Sequence, residues 1–340
     1  MKSKKVTIYD IANHTGLSVA TVSRVLNDNK NVKGETRDYV HQVMREMNYV
    51  PDVFARSLKK KSSRSIGIIV YEINSPFFSE IISSIEDYFT NKYFNIMLAA
   101  ISGGMKNELE LLNYFISKKI DGLMLLGSYN TDRIRSELKS LSTRIPIVLV
   151  GDNIGLDTIY TVNSDSQAGA YRAVRYLIDL GHRQIGLLTG YSGQYDSEER
   201  LLGYRQALKD VGIPMNRSFI FQGDYSVEKC QGGIVDFVKR NPSLTALFCC
   251  SDMMAIGAAG GLMQAGYQIP RDISVVGFDN IRFSAYVYPS ITTVDQGITQ
   301  LGYSAAALLN EAITTKQIIP QQVINKTNLI IRDSTANPRS

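Results

Sequence analysis

With 340 residues, 44% of them hydrophobic, the chain can bury a large core and is long enough for two or three domains. No apolar run approaches the roughly 20 residues that span a bilayer, and the opening MKSKKVTIYD has charge without a following apolar stretch, so a cytoplasmic protein without membrane contact is expected. Residues 1–64 hold 13 Lys and Arg against 6 Asp and Glu, a balance of +7, whereas the rest hold 24 against 26, a balance of −2. A basic module on a near-neutral body points to a polyanion as the partner of the N-terminal part alone.

Cys230 and the adjacent Cys249 and Cys250 offer neither a CxxC spacing nor an even disulfide framework. His14, His41 and His182 lie far apart, with no companions at ligand spacing. No metal and no cofactor is expected.

In chain order, TIYDIANHTGLSVATVSRVLN carries two short helical patterns broken at Gly16. Thr7 followed three residues later by Asp10 resembles a capping box, with Ile8, Ile11 and Ala12 on one apolar face. Ser18 suits the N-cap of a second helix in which Val22, Val25 and Leu26 face inward, leaving Val19, Ala20, Ser23 and Arg24 on other faces. A third helix is expected from about Thr36 to Met47, with Val40, Val43, Met44 and Met47 as its inner stripe. Helix, tight turn, helix and supporting helix form the helix-turn-helix arrangement, whose second helix enters the major groove by its N-terminal end. A generic three-helix bundle is the alternative, and the charge balance and turn spacing argue against it.

Next comes DVFARSLKKKSSRS, Asp52 to Ser65. Pro51 suits a first helical turn, Asp52 favours its positive end, and Val53, Ala55 and Leu58 have helical spacing. The segment is shorter than the roughly 12 to 15 residues an isolated helix needs in water. It is therefore expected to be disordered alone and helical when paired with a dimer mate on DNA; the plainer reading is a linker with one buried leucine.

After Ser65 the chain alternates apolar strands with helical stretches: SIGIIV, FNIMLAA, DGLMLLG and IPIVLV, then QIGLLTG, SFIFQGD, TALFCCS and ISVVGFD. Near-continuous apolar strands between amphipathic helices predict parallel sheets covered on both faces, here two similar α/β subdomains dividing at about Asn163. Ligands of such sheets bind beyond the C-terminal strand ends. After the first strand come Asn74, Phe77 and Phe78, an aromatic pair that could stack on a small ring or simply pack a helix start. A later loop holds Gln194, Asp196 and Arg200, and other strand ends bring Tyr225, then Ser251 with Asp252. Asp279 follows the last long strand and, opposite Arg200, would grip a polyol. No Trp is present, so a sugar-stacking surface must be Phe or Tyr.

The glycine-rich AIGAAGG lacks both G-x-G-x-x-G and a P-loop ending, no Ser occupies a G-x-S-x-G elbow, and no catalytic carboxylate pair stands out. An enzyme is not expected. The tail DSTANPRS has no leucine heptad, which favours a dimer over a coiled-coil tetramer.

Taken together, VTIYDIANHTGLSVATVSRVLN, NYVPDVFARSL and VVGFDN resemble the LacI/GalR family of bacterial transcription regulators, in the same order and over essentially the whole chain. The resemblance implies a helix-turn-helix headpiece at 1–50 and a hinge helix at 51–62. It also implies a periplasmic-binding-protein-like body at 63–340, with an N-subdomain of about 63–162 and 292–322 and a C-subdomain of about 163–291 and 323–335. By this resemblance Val19 and Ala20 read bases and Arg24 reaches a base edge, while Thr7, Tyr9, Ser18, Thr21, Ser23 and Asn27 hold phosphates or brace the helix. In the hinge, Ala55, Leu58 and Lys59 would meet DNA, with Leu58 wedged into a base step of the minor groove. Arg200 would hold the ligand, Tyr225 and Ser251 would face the cleft, and Asp252 would cap the following helix.

The function so implied is a sequence-specific transcription regulator, in the main a repressor, which binds a pseudo-palindromic operator as a homodimer in the bacterial nucleoid. A small carbohydrate-like effector between the lobes would control it. A freestanding sugar-binding protein and an α/β enzyme acting on a sugar or nucleotide are the alternatives, and a protein co-regulator stays open.

Overall fold

In a computed structural model the chain divides into two compact units, Met1–Ser63 and Arg64–Ser340. Residues 6–26, 31–49, 63–92, 94–101, 105–127 and 132–339 are described. The hinge helix expected at 51–62, with Ala55, Leu58 and Lys59, lies outside them, as does Asn27.

The first unit contains α1 (Ile8–Thr15), α2 (Val19–Leu26) and α3 (Gly34–Glu46). The capping box at Thr7 is formed: its N–H donates to Asp10 Oδ2 at 2.8 Å, and the Asp10 N–H donates to Thr7 Oγ1 at 3.4 Å. Helix α1 stops at Gly16, whose φ of 66° lies in the left-handed region that favours glycine, and the Gly16 N–H reaches back to the Ala12 carbonyl. Two residues later Ser18 Oγ accepts the Thr21 N–H at 3.1 Å, which starts α2 where its hydroxyl predicts. Ile11, Ala12, Val22, Val25, Val40, Val43 and Met44 are the buried core, while Leu26 and Met47 pack at its margin. Helix α3 begins two residues ahead of the expected Thr36.

The body holds two six-stranded sheets. The first is built from β1 (Ser65–Val70), β2 (Asn95–Ala100), β3 (Gly122–Leu126), β4 (Ile147–Val150), β5 (Tyr160–Ser164) and β11 (Gln322–Asn325), ordered β11-β5-β4-β3-β1-β2 and all parallel. The second is built from β6 (Ile185–Thr189), β7 (Ile220–Gln222), β8 (Ala246–Cys249), β9 (Ser274–Asp279), β10 (Thr292–Asp295) and β12 (Asn328–Ile330), ordered β12-β10-β9-β8-β6-β7. Only β12 runs antiparallel to its neighbour.

Strand pleating explains the continuous apolar runs. In β1, Ile66, Ile68 and Val70 enter one core cluster and Ile69 the other; β3 and β4 divide in the same way, so both faces of the sheet are dry. Helix α4 (Pro76–Phe89) and helix α12 (Ile298–Thr315) pack closely on one of these faces. A Cβ at Gly302 would lie 2.7 Å from the Ile81 carbonyl oxygen, so α12 approaches α4 at backbone distance.

The chain crosses between the sheets three times: after Ser164, after Asp295, and between Asn325 and Asn328. The expected subdomain limits are corrected accordingly. Asn163 still lies in β5 of the first sheet. Residues 292–295, expected in the first lobe, pair Thr292 with Val276 and belong to the second. Residues 322–325, at the limit between the two assigned segments, pair Val323 with Val162 and belong to the first. The polar tail also has a structural place: the Val275 N–H donates to the Ser334 carbonyl at 2.8 Å, and His182 Nε2 lies 2.9 Å from the Ala336 carbonyl oxygen. No helix among the described residues is long and apolar enough to cross a membrane.

Candidate functional site

Parallel sheets deliver all their strand ends to one side, and here the ends from both lobes meet around one cavity of about 360 Å³. Tyr71 follows β1, Asp152 follows β4, Tyr191 follows β6, Tyr225 follows β7, Ser251 follows β8, and Asp279 ends β9. All nine residues singled out for this region, Asn74, Phe77, Phe78, Gln194, Asp196, Arg200, Tyr225, Ser251 and Asp279, line it.

Arg200 is the centre of the arrangement. It projects from α8 (Tyr195–Asp210), is 3% exposed, and stacks over the Phe278 ring at 4.1 Å. Its guanidinium donates to the Cys250 carbonyl and lies 3.5 Å from Asp196 Oδ2 and 3.9 Å from Asp279 Oδ1. Its Nε and the Tyr225 hydroxyl are buried with no hydrogen-bond partner, two donors held ready where water is scarce. Tyr225 itself sits at φ 56°, with its ring laid against Gly190, where any Cβ would fall inside it.

The carboxylates feel the burial. Desolvation pushes Asp196 up to about 6 against the pull of Arg200, and holds Asp279 well above the ordinary carboxylate range against the same cation. A chain of polar contacts joins the two acids. Ser166 Oγ lies 3.4 Å from Asp196 Oδ1 and 3.2 Å from Ser164 Oγ; the Ser164 hydroxyl donates to Gln296 Oε1, and Gln296 Nε2 donates to Asp279 Oδ1 at 2.6 Å. Ser164 and Gln296 stand at the first two crossings between the lobes, so the chain that braces the acids is also the one that runs through the hinge.

Aromatic rings form the walls. Phe77 and Phe78 meet edge to face at 5.3 Å on the first lobe. Tyr71 of the first lobe approaches Tyr191 of the second at 6.2 Å, and Tyr191 approaches Tyr225 at 6.1 Å, a line of rings spanning both lobes.

The capping role expected of Asp252 belongs instead to Ser251, whose Oγ accepts the Met254 N–H at 3.2 Å at the start of α10 (Asp252–Gln264). Asp252 is fully buried and turns away to accept the Ile281 N–H at 2.9 Å and the Thr293 hydroxyl at 2.5 Å. Gly277 makes room for it, since a Cβ there would lie 2.2 Å from Asp252 Oδ1. Tyr71, Asp152 and Tyr191 escaped notice in the sequence, although each follows a recognisable strand and the strand-end rule reaches them. Gln296, which follows β10, and Ser164, which ends β5, had no such signal, because both strands are short and largely polar.

In the N-terminal unit, Thr7, Tyr9, Ser18, Ala20 and Arg24 are exposed, and Val19, Thr21 and Ser23 are partly covered. Tyr9 is 65% exposed, unusual for an aromatic ring on an eight-residue helix.

Three helices in helix-turn-helix order, joined to a two-lobed body of the periplasmic-binding-protein kind, define a DNA-binding regulator. Residues 7–52 match the model of bacterial regulatory proteins of the lacI family, and residues 174–335 match a periplasmic binding protein-like domain. The chain is 33% identical to catabolite control protein A of Priestia megaterium over 97% of its own length and 99% of the relative's. Among solved structures, it resembles the lac repressor dimer bound to operator and the anti-inducer ONPF, with 25% identity, TM-score 0.87, and coverage of 98% of this chain and 100% of that one. It also resembles the transcriptional regulator CelR–cellobiose complex, with 28% identity, TM-score 0.74, and coverage of 97% and 99%. The chain belongs to the LacI family of bacterial regulatory proteins. It is a DNA-binding transcriptional regulator and not an enzyme.

Proposed function

We propose that the protein is a cytoplasmic repressor that binds a pseudo-palindromic operator as a homodimer and responds to a small carbohydrate-like effector held between its lobes. The observation that carries this reading is the convergence of strand ends from both lobes on one cavity with an aromatic wall, a buried guanidinium and two unpartnered donors. A ligand touching both lobes binds one relative arrangement better than another, and that difference is what shifts operator affinity. The operator seen with the lac repressor dimer and the cellobiose seen with CelR are in keeping with it.

In this reading Val19, Ala20 and Arg24 face base edges. Thr7, Tyr9, Ser18, Thr21, Ser23 and Asn27 hold phosphates or brace the helix, and Ala55, Leu58 and Lys59 act in the minor groove. The dimer is supported by apolar surface on both lobes: Leu98 is exposed on β2, an edge strand, while Tyr286 at the end of α11 (Arg282–Tyr286) and Tyr288 just beyond it are 80% and 89% exposed.

Selection from a randomised duplex pool, followed by fluorescence anisotropy on the sequence it returns, tests both halves. Arg24→Ala should weaken that sequence by about tenfold or more and random duplex far less, as the loss of a base contact demands. Arg200→Ala should leave basal DNA binding within about twofold and abolish the response to sugar. Equal losses on both DNAs would remove Arg24 from base reading, and a normal sugar titration in Arg200→Ala would remove the cavity from effector binding.

A further inference from the structure

The charges lining the cavity are strongly unbalanced. Six carboxylates reach it among the described residues, Glu72, Asp152, Asp196, Asp224, Glu228 and Asp279, against the single guanidinium of Arg200. That guanidinium is already engaged by the Cys250 carbonyl, Asp196 and Asp279. Of the carboxylates, Asp224 is paired with Lys229, whose Nζ lies 2.6 Å from its Oδ2. At the rim, partial burial raises the Glu72 carboxyl of the first lobe, and the charge of Glu228 on the second lobe raises it further.

A phosphate carries a charge of about −1.5 to −2 near neutral pH and binds where Arg, Lys or a row of free N–H groups awaits it. Here it would meet, beside the Arg200, Asp196 and Asp279 group, the exposed carboxylates of Glu72 and Glu228, whose like charge opposes it even where water screens the repulsion. Hydroxyl groups find the opposite situation. Each donates to a carboxylate that can only accept, and each offers lone pairs to the unpartnered Arg200 Nε and Tyr225 hydroxyl. Phe77 and Phe78, with the Tyr71, Tyr191 and Tyr225 rings, supply apolar faces for the C–H side of a sugar ring. A purine base would satisfy the aromatic walls, but each of its N–H groups only donates, whereas each sugar hydroxyl can donate to a carboxylate and accept from Arg200 Nε or the Tyr225 hydroxyl.

Resting on the reading of this cavity as a carbohydrate site, we propose that its ligand is an uncharged, unphosphorylated sugar, and that Glu72 and Glu228 at the rim exclude phosphorylated and acidic sugars. The regulator therefore senses free sugar rather than its phosphorylated form.

Calorimetric titration of the full chain with neutral pentoses, hexoses and cellobiose, and with ribose 5-phosphate, glucose 6-phosphate, guanine and adenine, tests this. At least one neutral sugar is expected to bind, with its phosphorylated form at least about tenfold weaker. In the Glu72→Gln, Glu228→Gln double variant that ratio should shrink by about threefold or more while the neutral sugar still binds. A phosphorylated sugar that binds as tightly as its parent, or an unchanged ratio in the double variant, overturns the charge filter and leaves the carbohydrate reading intact. Preference for guanine or adenine over every sugar, or no binding by any compound in protein that still binds DNA, overturns the carbohydrate reading itself.

Discussion

Glu108 is 1% exposed, its Oε2 has no hydrogen-bond partner, and burial together with the nearby Asp152 pushes its carboxyl up to about 7 from 4.5. Below about pH 4.5 it is protonated in both folded and unfolded chains and stability is unaffected. Between about 4.5 and 7 the folded state holds the extra proton, so raising the pH through that window removes stability, and above 7 the full cost of a buried charge remains. Glu108→Gln removes that cost while keeping the shape. Its melting temperature should rise by about 2 °C or more at pH 8 and much less at pH 5, as read by scanning calorimetry. An equal shift at both pH values would mean that the gain comes from packing and not from charge. Residue identity alone reached the side chains that line the cavity, because Arg, Asp and Phe after an apolar strand have few other places to go. It failed at Asp252, since both Ser and Asp cap helices: Ser251 takes the cap while also lining the cavity, and Gly277, distant in sequence, opens the pocket that draws Asp252 inward.

Elements were readable wherever local chemistry decides them. Thr7, Asp10, Gly16 and Ser18 fix the ends of α1 and the start of α2 by hydrogen bonds within four residues, and six of the eight apolar strands are buried on both faces, the edge strands β2 and β7 being only partly covered. Four strands went unread, β5, β10, β11 and β12, since YTVNS, TTVD, QVIN and NLI are short and largely polar. Their partners, not their own composition, make them strands: β10 is one neighbour in from the sheet edge, held between β9 and β12. The turn at Gly16 offers a clean test at this scale. Nothing lies within 4 Å of the place a Cβ would take, so Gly16→Ala meets only the left-handed backbone, at about 1 kcal/mol. Amide exchange in α1 and α2 of the full chain should speed up about fivefold, whereas Gly34→Ala, also uncrowded but at an ordinary φ, should not speed α3. Matching behaviour of the two variants would show that the turn tolerates a side chain.

At the scale of the molecule, the lobes are joined by crossings that themselves touch the site. Ser164 and Gln296 are 6% and 1% exposed, bonded to each other, and Gln296 holds Asp279. A ligand that draws on Asp279 therefore pulls on a residue in the hinge without any intervening layer. Gln296→Leu should leave sugar binding measurable yet bring the ratio of operator Kd with and without saturating sugar towards 1, and by linkage the sugar's own affinity should cease to depend on DNA. A ratio unchanged from the parent would place the coupling elsewhere.

The three crossings have another consequence, for the order in which the protein can be made. Helix α12 and strand β11 complete the first sheet and its core, yet they are translated after nearly all of the second lobe. During synthesis the first lobe must wait with its β5 edge and one apolar face open while some 150 further residues emerge, at about 5 to 20 residues per second. The second lobe waits less, lacking only β12 and the tail strap once β10 is out. A nascent chain stalled near residue 297 thus exposes a sticky half-built lobe to the ribosome surface and its chaperones, and the lobe that begins first stays open longest.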